Sequence, residues 1–180
     1  MKSSNLVNLT KFVFIILLVF LIGYVSYVQP EKFNTSAQIS EYEAGSLDNS
    51  DLTLRDSLVN YAVELLGTPY VVAGNGRDGF DCSGFVYFVY QHFDIDIPRS
   101  TSAFENHGTE IHLADVKKGD LLLFLSPTRN TIGHIGIVST ADGPDSEFIH
   151  ATSGREMKVV ITNLSNEGYT RRFVKAIRVL

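Results

Sequence analysis

The chain has 180 residues, 44% of them hydrophobic and 19% charged, with a formal net charge of −5. Once a leader is set aside, that length holds one domain with a real core, and the mild acidity without any basic block gives no sign of a nucleic-acid partner. The single cysteine, Cys82, excludes an intrachain disulfide and a thiolate-rich metal cluster.

Residues 12–28 form an uncharged apolar run, preceded by Lys2 and Lys11 and followed by Pro30 and Glu31. The run sits at the short limit for a membrane span, about 17 to 25 residues. It exceeds the apolar core of a secretory signal, about 7 to 15 residues. No small-residue cleavage site follows, and the lysines place the N-terminus inside. The reading is a cytoplasmic tail (1–11), an uncleaved transmembrane signal anchor (12–28) and everything later outside, with a cleaved signal peptide and a secreted product as the alternative. Residues 29–50 are polar and aperiodic, a flexible tether. An unpaired thiol in an oxidising compartment is a liability, so its retention points to reactivity.

From Ser50 or Asp51 the spacing of Leu54, Leu58, Tyr61, Ala62 and Leu65 predicts a helix that Gly67 stops. Thr68-Pro69-Tyr70 is extended and leads through a glycine-rich loop to Phe80-Asp81-Cys82-Ser83-Gly84. Phe85, Val86, Phe88 and Val89 then recur at helical spacing, which puts Cys82 in the first turn of a second helix with Asp81 as its N-cap. That position favours the thiolate through the helix dipole, with the Asp81 charge working against it. Gly84 reads as a gap through which a substrate backbone approaches. The opposing reading is that Cys82 is a buried apolar filler, as free cysteines commonly are.

A short capped helix is expected over residues 100–106. Beyond it, residues 121–125, 134–139, 147–151, 157–161 and 173–179 read as short strands parted by Gly, Pro, Asn and Asp clusters. Helices first and a mostly antiparallel sheet after is an α+β arrangement.

Strand alternation puts His134, Gly136 and Val138 on one face, and His150 again opposes an isoleucine. If these strands pair, the two imidazoles are neighbours, and Gly136 leaves room for the cysteine helix to press in. A nucleophilic thiol needs a base within hydrogen-bond reach and a third polar group to orient that base. Cys82, His134 and His150 suit those three roles; the rival reading makes them zinc ligands with an open fourth site. His92, His107 and His112 carry no such pattern and are read as surface residues. Gly74-Asn75-Gly76-Arg77-Asp78-Gly79 matches a dinucleotide fingerprint, but the later chain lacks the following βαβ unit and the acidic residue. The glycines are read instead as the turn that delivers Cys82, and no nucleotide partner is expected.

Six blocks stand in one order: Gly67-Thr68-Pro69-Tyr70, Phe80-Asp81-Cys82-Ser83-Gly84-Phe85-Val86, Ile97-Pro98-Arg99-Ser100, Gly119-Asp120-Leu121-Leu122-Leu123-Phe124, Gly133-His134-Ile135-Gly136-Ile137-Val138 and Phe148-Ile149-His150-Ala151. Together they make residues 51–180 resemble the NlpC family of cell-wall cysteine peptidases, with a papain-like fold. The resemblance implies Cys82 as nucleophile, His134 as base, His150 as the orienting residue and Tyr70 as a hydroxyl near the thiol that helps hold the oxyanion. It implies peptidoglycan stem peptides or crosslinks as substrate. For such a substrate Arg77, Arg99 and Arg155 are candidate binders of stem-peptide carboxylates, the opposing reading being solvated surface charges, and Ser83 is a further candidate substrate-binding residue; no cofactor or metal is expected. Val72-Ala73 depart from the family's frequent aromatic and glycine, Phe104 or Glu105 replaces a frequent glutamine, and residues 141–146 read as a loop insertion. A non-catalytic wall-binding module, or an amidase or acyltransferase on the same scaffold, is the alternative function.

Overall fold

The computed structural model describes residues 53–180. The expected tail, membrane anchor and tether, together with the Ser50 or Asp51 cap, lie outside the described residues. Among those described, no helix is long and apolar enough to cross a membrane.

Helix α1, residues 53–64, buries Leu58, Ala62 and the following Leu65, as their spacing requires. A small hairpin follows, β1 (Asn75–Gly76) with β2 (Gly79–Phe80), built from the glycine-rich stretch that mimics a dinucleotide motif. It feeds helix α2 (Cys82–Gln91), whose N-cap Asp81 accepts from the Gly84 amide at 2.6 Å. Residues Thr101–Asn106 form a 3₁₀ helix rather than a capped α-helix, and Ser100 makes no side-chain cap.

The strands are β3 (Thr109–Ile111), β4 (Leu121–Leu125), β5 (Ile132–Thr140), β6 (Glu147–Ala151), β7 (Val159–Asn163) and, after the four-residue helix α3 (Glu167–Thr170), β8 (Phe173–Arg178). They make one antiparallel sheet in the order β3-β8-β4-β5-β6-β7. The α+β expectation holds, and the five strands read from the sequence are present. β3, α3 and the β1–β2 hairpin were not anticipated, being too short for periodicity to register.

Alternation divides the sheet into two apolar layers. Leu121, Leu123, Ile135, Ile137 and Ile149 pack under α1 and α2 with Leu58, Phe85, Val86 and Val89. Leu122, Phe124, Val138 and Phe148 form a second cluster on the opposite face, with Tyr169 and Phe173 against it.

This division corrects two expectations about glycines. Gly136 lies on the face away from the cysteine helix. A Cβ there would sit 2.5 Å from Phe148 Cδ2 and 3.2 Å from the His150 Cβ, so the missing side chain makes room above all for the Phe148 ring, on which His150 stacks. Gly84 opens no path for substrate either: a Cβ would strike the Gly74 carbonyl and come within 2.8 Å of Arg99 Nη2. Its absence lets the hairpin close onto the start of α2.

Candidate active site

Helix α2 presents Cys82 at its first turn into a cavity of about 270 Å³, lined also by Tyr70, Gly133, His134, Thr152, Ser153, Tyr169 and Arg172. The sulfur lies 3.6 Å from Thr101 Oγ1 and 3.9 Å from the Gly133 carbonyl. The backbone amides of Cys82 and Ser83 also point to it, since Asp81 caps only the Gly84 amide and leaves these first-turn donors unused. Burial pushes the thiol up, and the Asp81 charge adds to it. The Thr101 hydroxyl and the two amides pull in the other direction without prevailing. The dipole-favoured thiolate expected from position alone is therefore overturned by desolvation, and the resting group is a thiol.

Antiparallel pairing of β5 with β6 brings His134 Nε2 to 3.0 Å from His150 Nδ1. His150 Nε2 lies in turn 2.8 Å from Thr162 Oγ1 on β7. His134 is 9% exposed, whereas His150 is fully buried and stacked on Phe148 at 4.7 Å. Burial, helped by the positive charge of Arg172, holds His134 down to about 3; burial, then the neighbouring His134 and then Arg172, place His150 well below the ordinary imidazole value. Both rings are neutral at neutral pH. With Nε2 of His134 spent on His150, Nδ1 is the nitrogen left for the thiol. For Nδ1 to accept a proton, Nε2–H must donate to His150 Nδ1, so the His150 proton sits on Nε2 and Thr162 accepts it. The zinc reading required donors converging on one point; here the two imidazoles are hydrogen-bonded to each other.

Tyr70 shares the cavity, and Ser153 bonds its side chain. Burial raises the phenol, with smaller contributions from Cys82 and Asp81, so it remains an O–H donor.

The four residues expected to bind substrate are placed differently. Arg99 pairs with Asp81 at 3.0 Å, donates to Ser83 Oγ at 3.1 Å and reaches the Ala73 and Gly74 carbonyls. It clamps the hairpin to the helix cap, and its charge is already matched. Ser83 is 5% exposed and its hydroxyl donates to Asp81, so only its amide faces the sulfur. Arg77 lies over the Tyr61 and Phe88 rings and outside the cavity lining. Arg155 is exposed, beside the lining residue Gly154 but not part of the wall. Among the other histidines, His92 stacks on Tyr61 at 3.8 Å and His112 caps a turn through Nδ1.

Thr101, Thr162, Tyr169 and Arg172 were missed. Thr101 directly follows the block Ile97-Pro98-Arg99-Ser100, a usable signal. Thr162 sits in a strand without a motif, and Tyr169 and Arg172 fall in a polar stretch between β7 and β8.

The NlpC/P60 family model matches residues 67–178. The gamma-D-glutamyl-L-lysine dipeptidyl-peptidase of Bacillus cereus is 32% identical over 126 residues, 69% of this chain and 36% of the relative. Murein DD-endopeptidase MepH of Escherichia coli is 33% identical over 163 residues, 88% of this chain and 56% of the relative. The chain thus spans about a third to just over half of these two proteins. An NlpC/P60 protein structure from Bacillus cereus superposes with TM-score 0.63 at 31% identity, covering 70% of this chain and 40% of that one. The NlpC/p60 domain of the peptidoglycan hydrolase SagA superposes with TM-score 0.54 at 33% identity, covering 67% and 95%. From the first block at Gly67 to the last strand, the match spans the helix, strands and cavity just described, and the chain belongs to the NlpC/P60 family.

Proposed function

We propose that this chain is a cysteine endopeptidase that hydrolyses amide bonds in the stem peptides or crosslinks of peptidoglycan. The observation that carries the reading is one open cavity holding Cys82, Tyr70 and His134, with His150 and Thr162 aligned behind the imidazole. The relatives named as murein endopeptidases supply the substrate class.

Because thiol and imidazole both rest neutral, proton transfer accompanies attack. The Cys82 sulfur bonds to the scissile carbonyl carbon while its proton passes to His134 Nδ1. The resulting imidazolium is stabilised through Nε2 by His150. The amides of Cys82 and Ser83 and the Tyr70 hydroxyl are the donors for the oxyanion. His134 then gives its proton to the leaving amine as the C–N bond breaks. Water, deprotonated by the same nitrogen, cleaves the thioester and restores the thiol.

Residues 12–28 anchor the protein in the membrane in this reading, with residues 51–180 on the wall side beyond the tether. Fractionation that recovered a membrane-free chain beginning near Gln29 would replace the anchor by a signal peptide. The activity test is incubation of the full chain and its Cys82→Ser variant with purified peptidoglycan, followed by mass analysis of released fragments. Release by the wild type alone is expected, and the masses identify the bond. Tight binding to the wall without release would instead make the domain a binding module. Turnover of small amides or esters with an untouched wall would make it an amidase or acyltransferase.

A further inference from the structure

The cavity wall contains one charged side chain, Arg172, and no acid. Its guanidinium is held at three points. Nε donates to the Gly168 carbonyl at 2.8 Å, Nη1 donates to the Leu125 carbonyl at 3.0 Å, and Cζ lies over the Tyr169 ring, 4.9 Å from its centroid. These contacts are all to neutral groups. Arg55, Arg99, Arg171 and Arg178 each pair with a carboxylate, whereas among the described residues Arg172 pairs with none and its Nη2 makes no hydrogen bond. A half-buried cation without a counter-charge is costly. This one also disfavours protonation of the very histidine that must take a proton. A fixed, aromatic-backed guanidinium with a free edge has the geometry that carboxylates recognise.

We propose that Arg172 anchors a free carboxylate of the substrate beside the scissile bond, so that the enzyme selects peptides bearing that carboxylate. This rests on the peptidase reading for its substrate but not for the charge of the site. Binding of the anion neutralises Arg172, lifts its depression of His134 and makes the imidazole a better base once substrate is in place. Substrate selection and base activation are thereby coupled through one side chain.

The test uses the full chain, Arg172→Gln and Arg172→Lys. Two matched peptides differ only in a carboxylate or carboxamide next to the cleaved bond, and two alkylating agents, iodoacetate and iodoacetamide, differ in charge in the same way. The wild type should prefer the carboxylate peptide by about 10- to 100-fold in kcat/KM, the range of a charge-assisted hydrogen bond. Its iodoacetate-to-iodoacetamide rate ratio should exceed that of free cysteine. Arg172→Gln should bring both ratios toward those of an uncharged site, and Arg172→Lys should keep part of each. Equal loss on both peptides leaves the ratio unchanged and would make Arg172 merely structural. A wild type that shows no preference for either anionic reagent overturns the proposal without any variant. If neither peptide is cut, the peptidase reading falls while the alkylation ratio still decides Arg172.

Discussion

Two buried polar clusters in this domain are built on opposite principles. Around Asp120, which is fully buried, Arg55 donates at 3.0 Å, Arg178 at 2.7 and 3.0 Å and the Lys117 amide at 2.7 Å. Every lone pair of the carboxylate is met, and the cluster ties α1 and β8 to the turn that leads into β4. Around His134 the chain instead gathers neutral groups in single file, His134 to His150 to Thr162, with an unmatched cation alongside. Arg99 with Asp81 repeats the first principle at the helix cap. Charge satisfied internally is structural; polarity left neutral or unmatched in an open cavity is available to a substrate.

Breaking each cluster separates the two most sharply. His134→Ala should lower peptide release by about 10²- to 10⁴-fold with little loss of melting temperature, because it removes a desolvated ring rather than a matched charge. A variant that melts early would mean that the histidine also carries the fold. Asp120→Ala should do the reverse. It strands two guanidinium groups beside a buried site and should cost about 3 to 5 kcal/mol in denaturant unfolding, with turnover per folded molecule preserved. A near-neutral midpoint would show that the ion cluster contributes specificity and little stability.

Acid distinguishes the clusters next. His134 and His150 have folded pKa values below the unfolded value of about 6.5, so they take up protons on unfolding. Above about pH 6.5 they leave stability unchanged. Below it, each costs up to about 1.4 kcal/mol per pH unit, down toward pH 3 for His134. His150→Asn should flatten that acid limb by one proton while keeping a hydrogen-bonding partner for His134 and part of the activity. An unchanged acid limb would place the titration elsewhere.

The smallest effect is at the end of the file. Thr162→Val removes the acceptor that holds the His150 tautomer and should cost about tenfold in kcat, one net hydrogen bond. Thr162→Ser should restore it, and KM should move little. Loss confined to KM would place Thr162 in substrate contact instead.

Much of the candidate site was legible in the sequence for local reasons. Asp81-Cys82-Ser83 at a loop-to-helix junction, and His134 and His150 each opposed to an isoleucine, follow from helix and strand periods alone. The same alternation did not say which face of the sheet the helices cover, and so the role of Gly136 was misjudged. The thiol was misjudged for a related reason, since helix position is local while burial depends on everything packed above it.

Order, period and spacing in the sequence determined an α+β domain whose lone cysteine begins a helix and whose two histidines ride paired strands. Those are properties of neighbours along the chain. Only the tertiary structure decided which arginine is spent and which is free: Arg99 looked available and is locked to Asp81, whereas Arg172 looked unremarkable and stands in the cavity wall. A charge has no meaning for function until its counter-charge is located, and long arginine side chains find theirs through space, across 18 residues for Arg99 and 58 for Arg178.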